Sequence, residues 1–148
     1  MSSQAGGPTG PDRISVLCVD DNDEVAEALR IKFLRAGGFD WNGRLETADD
    51  LVRSLNARVA RIVILDVDMP GRDPFEASLE ASGLFPDLRI IFFSGHLKWD
   101  YIDRAIASGA WGYVSKNDGD DALIEAVRRV LGGEFVLSPA VRDTYTQR

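Results

Sequence analysis

The sequence predicts an α/β fold in which a parallel sheet carries helices on both faces. Three observations lead there. Nearly continuous apolar runs rich in β-branched residues stand at ISVLCV (14–19), RIVIL (61–65) and LRIIFF (88–93), the composition of strands buried on both sides. The stretches between them place apolar residues at helical spacing. Each run also ends on polar residues, Asp20-Asp21, Asp66 and Ser94, at the carboxyl ends where open α/β sheets gather their ligands.

Taken in order, the first strand (14–19) runs into Asp21 and Glu24, which read as a capping box for the helix DEVAEALRIKFLRA. Val25, Leu29 and Phe33 recur there at i, i+4, i+8, and Gly37-Gly38 stops it. WNGRLET (41–47) is a weaker strand and ADDLVRSL a short helix. After the strand 61–65, Asp73-Pro74 followed by Glu76 offers a cap, a first-position proline and an early acid for the helix PFEASLEA. The strand 88–93 leads to the helix DYIDRAIA and its stop at Gly109, then to WGYVS (111–115). In DALIEAVRRVL, Leu123, Ala126, Val127, Val130 and Leu131 form one stripe, opposite Arg128 and Arg129, before Gly132-Gly133.

Composition narrows the function classes. A chain of 148 residues is expected to form one domain with a real core. A net charge of −7, from 24 acidic and 17 basic residues, argues against direct nucleic-acid contact by this chain. Cys18 is the only cysteine, so no intrachain disulfide can form, and the single His96 excludes histidine-rich metal sites. No apolar stretch approaches the roughly 20 residues that span a bilayer, and MSSQAGGPTGP lacks the charged and apolar regions of a signal peptide. A cytoplasmic location and no membrane partner are therefore expected.

The strand ends hold the chemistry. Asp20, Asp21, Asp66, Ser94 and Lys116, the last following the fifth strand candidate, would converge on one edge of the sheet. Three acids together repel unless a cation joins them, and hard oxygen ligands of this kind suit Mg²⁺. A carboxylate, a divalent metal and fixed donors are what phosphoryl transfer requires.

The pieces CVDDN (18–22), ILDVDMPG (64–71), FFSG (92–95) and GAWGYVSK (109–116) resemble, in order and spacing, the receiver (CheY-like) domain of bacterial two-component response regulators. That resemblance runs from about residue 13 to residue 137. It implies a flavodoxin-like (βα)5 three-layer sandwich with a five-stranded sheet in the order 2-1-3-4-5. It implies that Asp66 accepts a phosphoryl group from a sensor histidine kinase and that Asp20, Asp21 and Asp66 hold Mg²⁺, with the backbone carbonyl of Asp68. Ser94 and Lys116 would bind phosphoryl oxygens. Tyr113, three before the lysine, matches the switch aromatic that turns inward when Ser94 is drawn to the phosphoryl group. Asp68 and His96 occupy variable positions and are expected to tune the rate of phosphoryl loss.

Asn117 stands where many receivers have proline, and ALIEAVRRVLGGEFVLSP (122–139) resembles the NarL/FixJ-type receivers, in which a similar segment leads to a helix-turn-helix domain. Residues 1–12 are expected as a flexible tail, 13–137 as the receiver, and 138–148 as a tail or the start of a linker to a DNA-binding domain absent here. The expected output is control of transcription, with homodimerisation on phosphorylation. Beyond self-phosphorylation and autodephosphorylation at Asp66, no enzyme activity is expected.

The alternative is an aspartate-nucleophile phosphatase of haloacid-dehalogenase type, whose D-x-D motif LDVDM also fits, with Asp66 as nucleophile and Asp68 as general acid. In that family the metal acids follow the lysine motif. Asp120-Asp121 do follow Lys116, but they are placed to open the last helix.

Overall fold

In the computed structural model, residues 13–58 and 60–147 are described; the expected N-terminal tail, 1–12, lies outside the described residues. The elements alternate as the sequence predicts: β1 (Ile14–Val19), α1 (Asp23–Ala36), β2 (Phe39–Leu45), α2 (Leu51–Ala57), β3 (Ile62–Leu65), α3 (Pro74–Leu84), β4 (Arg89–Ser94), α4 (Trp99–Ala107), β5 (Gly112–Ser115) and α5 (Asp120–Leu131). Two more follow, β6 (Val136–Leu137) and α6 (Pro139–Thr146).

All strand pairs are parallel, and the sheet order is β2-β1-β3-β4-β5-β6. The class is the expected flavodoxin-like one; the expected five-stranded sheet is corrected to six strands. Val136 and Leu137 align with Gly112 and Tyr113, and the N–H groups of Val136 and Ser138 donate to the carbonyls of Trp111 and Tyr113 at 3.0 and 3.1 Å. A two-residue strand has no readable alternation, yet it satisfies backbone groups that an edge would leave to solvent.

Alternation along each strand divides the core into two layers. Leu17, Val19, Val63, Leu65, Ile90, Phe92 and Tyr113 face α2, α3, α4 and α6. Val16, Cys18, Ile62, Ile64, Ile91, Phe93 and Val114 face α1 and α5. Each fully buried large side chain contributes about 1.5–3 kcal/mol relative to exposure, so these central strands hold the strand ends rigidly in line.

One local reading is revised. The α1 cap is Asn22, not Asp21: its side chain accepts from the N–H groups of Glu24 and Val25 at 2.9 and 3.1 Å. In contrast, Asp73 caps α3 as expected, accepting from Phe75, with Pro74 at the first position. Residues 138–148, read as a tail or linker start, carry α6. Val141 is wholly buried and Tyr145 packs on the same layer, while the Tyr145 hydroxyl donates to Asp103 on α4. In the sequence the helix is signalled by Ser138-Pro139 at its start and by those two anchors, four residues apart.

β2 contains an irregularity that bears on the site. Val16 pairs with Trp41 but Cys18 with Arg44, so Leu17 lies opposite two residues. Gly43, at φ 103°, supplies the left-handed backbone that this bulge needs. The bulge reverses the strand's phase: Phe39 and Trp41 pack in the α1 layer, whereas Leu45, beyond the bulge, packs in the opposite one.

Candidate functional site

β1, β3, β4 and β5 end side by side, and each delivers one polar group to the carboxyl edge. Asp66 is the first residue past β3, its N–H bound to the Val19 carbonyl at 3.0 Å. Its side chain turns back on the chain, one oxygen accepting from the Val67 N–H at 2.9 Å. Asp20, just past β1, accepts from the Asn22 N–H at 2.9 Å. Both acids are nearly buried, 5% and 3% exposed, whereas Asp21 is exposed.

Lys116 leaves β5 on a short 3-10 turn (Lys116–Asp118) that the Ser115 hydroxyl caps through the Asn117 N–H. Its ammonium lies 3.0 Å from Asp20 and 3.5 Å from Asp66. Burial alone would lower the Lys116 pKa, but the Asp66 charge and the hydrogen bond to Asp20 outweigh it, and the pKa rises. Lys116 is therefore a fixed cation. Burial lifts the Asp66 carboxyl to about 6; the Asp20 charge adds to this, and Lys116 opposes it.

One oxygen each from Asp20, Asp21 and Asp66 lie within 4.8 Å of one another. Two of the three are buried carboxylates for which a single lysine is a shared partner, so the donor set fits a small hard cation such as Mg²⁺. Asp120 and Asp121 open α5, as expected, and Asp121 pairs with Lys32 at 2.9 Å. The metal arrangement of the phosphatase alternative thus finds no support here.

Ser94, at the end of β4, is fully buried and accepts from the His96 N–H at 2.9 Å. Tyr113, on β5, points inward at 1% exposed and donates to the His96 carbonyl at 2.5 Å. Burial raises its hydroxyl pKa, keeping it a donor. The ring belongs to a row in which Phe92 stacks on both Tyr113 and Phe75, at 6.0 and 5.1 Å between centroids. His96 Nε2 and the Asp68 carboxylate meet at 3.1 Å and join the loops after β3 and β4 at the surface. The structure thus brings Asp20, Asp21, Asp66 and Lys116 into one cluster, and sets Ser94, at the end of β4, and Tyr113, within β5, against the loop beside it. Asp68 and His96 pair with each other, their side chains outside the carboxylate cluster. Sequence reasoning passed over Asn22, whose side chain caps α1, and Arg44, which donates to the Asp20 carbonyl at 3.2 Å.

Comparison with known proteins follows the same lines. Residues 16–128 match the family described as the response regulator receiver domain. The response regulator GacA of Pseudomonas aeruginosa is 27% identical over 128 residues, 86% of this chain and 60% of that one. The transcriptional activator protein ExaE of Pseudomonas putida is 31% identical over 124 residues, 81% of this chain and 56% of that one. The chain thus spans little more than half the length of these relatives. Among solved structures, a LuxR-family two-component response regulator from Aurantimonas aligns with a TM-score of 0.85 at 25% identity, over 91% of this chain and 96% of that one. The isolated REC domain of RcsB from Salmonella enterica, solved with the phosphomimetic BeF3-, aligns at 0.82 and 21%, over 89% and 98%; that likeness bears on the fold.

Proposed function

The chain belongs to the response regulator receiver domain family, NarL/FixJ-type, and from that premise we propose that it takes a phosphoryl group from a sensor histidine kinase onto Asp66. The observation that carries this is the pairing of Lys116 with both buried acids, which holds Asp66 in place at the mouth of the sheet. An Asp66 carboxylate oxygen attacks phosphorus, the bond to the donor's imidazole nitrogen breaks, and an acyl phosphate results.

Asp20, Asp21, Asp66 and the Asp68 carbonyl are the residues that would hold Mg²⁺, which supplies neutralisation of the phosphoryl oxygens. Lys116 then moves its attraction from Asp66 to a phosphoryl oxygen, and the Ser94 hydroxyl turns to another. Because the Ser94 oxygen also accepts from the His96 N–H, the loop after β4 follows Ser94, and Tyr113 follows the loop through the His96 carbonyl. The phosphoryl group, with about −1.5 to −2 charge, thereby shifts the balance between two conformations. Tyr113 is already inward in this structure, so the shift is one of population about that position. The Asp68–His96 pair beside the acceptor sets how readily water reaches the acyl phosphate. Autodephosphorylation is then the only turnover.

Residues 13–137 are the receiver in this reading and 138–148 its extension toward an effector that controls transcription, as the names of the relatives suggest. Homodimerisation on phosphorylation is part of the proposal; RcsB, a fold neighbour, is described as dimers bound to DNA. Incubation with a small phosphodonor and Mg²⁺, followed by intact mass, tests the reading. A phosphoryl adduct in the parent and Asp68→Ala, absent from Asp66→Ala, is expected; an adduct that persists in Asp66→Ala overturns it.

A further inference from the structure

Arg44 lies at the end of an edge strand that contributes nothing to the catalytic cluster, yet its side chain is only 21% exposed. Nη1 donates to the main-chain carbonyl of Asp20 at 3.2 Å and lies 3.7 Å from Glu46. Nη2 pairs with Asp23, the first residue of α1. The Asp20–Asp23 loop is thus gripped from below at its first residue and at its last.

The bulge in β2 makes this possible. In a regular strand Arg44 would fall on the face opposite Trp41, toward α2. The extra residue beside Leu17 returns Arg44 to the α1 face, opposite Cys18 and under the loop. Bulges re-aim side chains beside functional sites, and here the re-aimed group is a planar fork with donors for two partners.

Resting on the metal site proposed above, we propose that Arg44 is a positioning residue for the divalent cation: it fixes the main chain of Asp20 so that the Asp20 and Asp21 carboxylates converge on Asp66. Removing a positive charge near three carboxylates would, by Coulomb's law alone, tighten cation binding. Losing the grip on the loop weakens it.

Isothermal titration of the full chain with Mg²⁺ separates these, alongside urea unfolding in EDTA. Arg44→Gln and the charge-preserving Arg44→Lys are both expected to weaken Mg²⁺ binding, the first roughly tenfold, as for supporting residues around metal ligands generally. Leu55→Ala on α2, a buried change remote from the loop, is expected to lower stability and leave Mg²⁺ affinity as in the parent. Tighter or unchanged binding in Arg44→Gln overturns the inference, as does parental affinity in Arg44→Lys, since a point cation without the planar fork would then serve as well. Equal weakening in Leu55→Ala overturns it too, as general loosening. Should Arg44→Gln fail to fold, Arg44→Lys carries the test. A parent that binds no Mg²⁺ overturns the proposed function itself, a result distinct from any of these.

Discussion

Asp66 is 5% exposed beside a second buried acid, and burial lifts its pKa from 3.8 to about 6. A folded pKa above the unfolded one means that the folded chain binds the extra proton between those values. Stability therefore falls as pH rises through that window and stays lower above it. The lift, already net of the attraction to Lys116, corresponds to something on the order of 3 kcal/mol. Asp66→Asn, which cannot ionise, is expected to be more stable than the parent by about 1–3 kcal/mol at about pH 8 in EDTA, and equal to it below about pH 4. Urea unfolding at the two pH values checks this; equal midpoints at both would mean that Asp66 ionises without cost. Cys18 follows the same logic. Fully buried, its thiol is pushed up to about 12 by burial first and by the Asp20 charge next. Iodoacetamide is expected to leave it unmodified in the folded chain and to alkylate it in urea, as read by intact mass.

The elements show where local pattern suffices. β1, β3 and β4 are legible because strands buried on both faces must be apolar throughout, and α1 and α5 because one face must be. The carboxyl ends of those strands then locate Asp20, Asp66 and Ser94 without tertiary information, and Lys116 follows the weaker candidate for β5. β2 was displaced by two residues, to 41–47, because Gly43 sits in a bulge that breaks alternation. The same bulge hid Arg44, since a strand read as regular puts that side chain on the wrong face. The sequence points to Asp21 as the α1 cap because Glu24 completes a box with it. The backbone instead turns one residue later, and Asn22→Ala is expected to cost about 1 kcal/mol in EDTA where Asp21→Ala costs little. α6 depends on two anchors that become visible only once the layer they fill is known. Val141→Asp places a charge in that layer and is expected to undock α6, exposing the bond after Arg142 to trypsin in the otherwise folded chain.

At the scale of the whole molecule, the carboxyl edge gathers Asp20, Asp21 and Asp66, and a cation held among them would offset their repulsion. Mg²⁺ at about 100 times its dissociation constant is expected to stabilise the chain by about 2.7 kcal/mol, read as a rise in unfolding temperature that EDTA reverses and Asp20→Asn abolishes. No helix among the described residues is long and apolar enough to cross a membrane. The sheet also has a defence against its own kind. An open strand edge recruits other chains, yet β6 shortens one edge to two residues, and Pro139, just past Ser138, has no N–H with which to extend it. At the other edge, the β2 bulge twists the strand and Arg58 occupies the Asn42 carbonyl. Both edges of the sheet therefore resist the strand-by-strand growth that leads to aggregates.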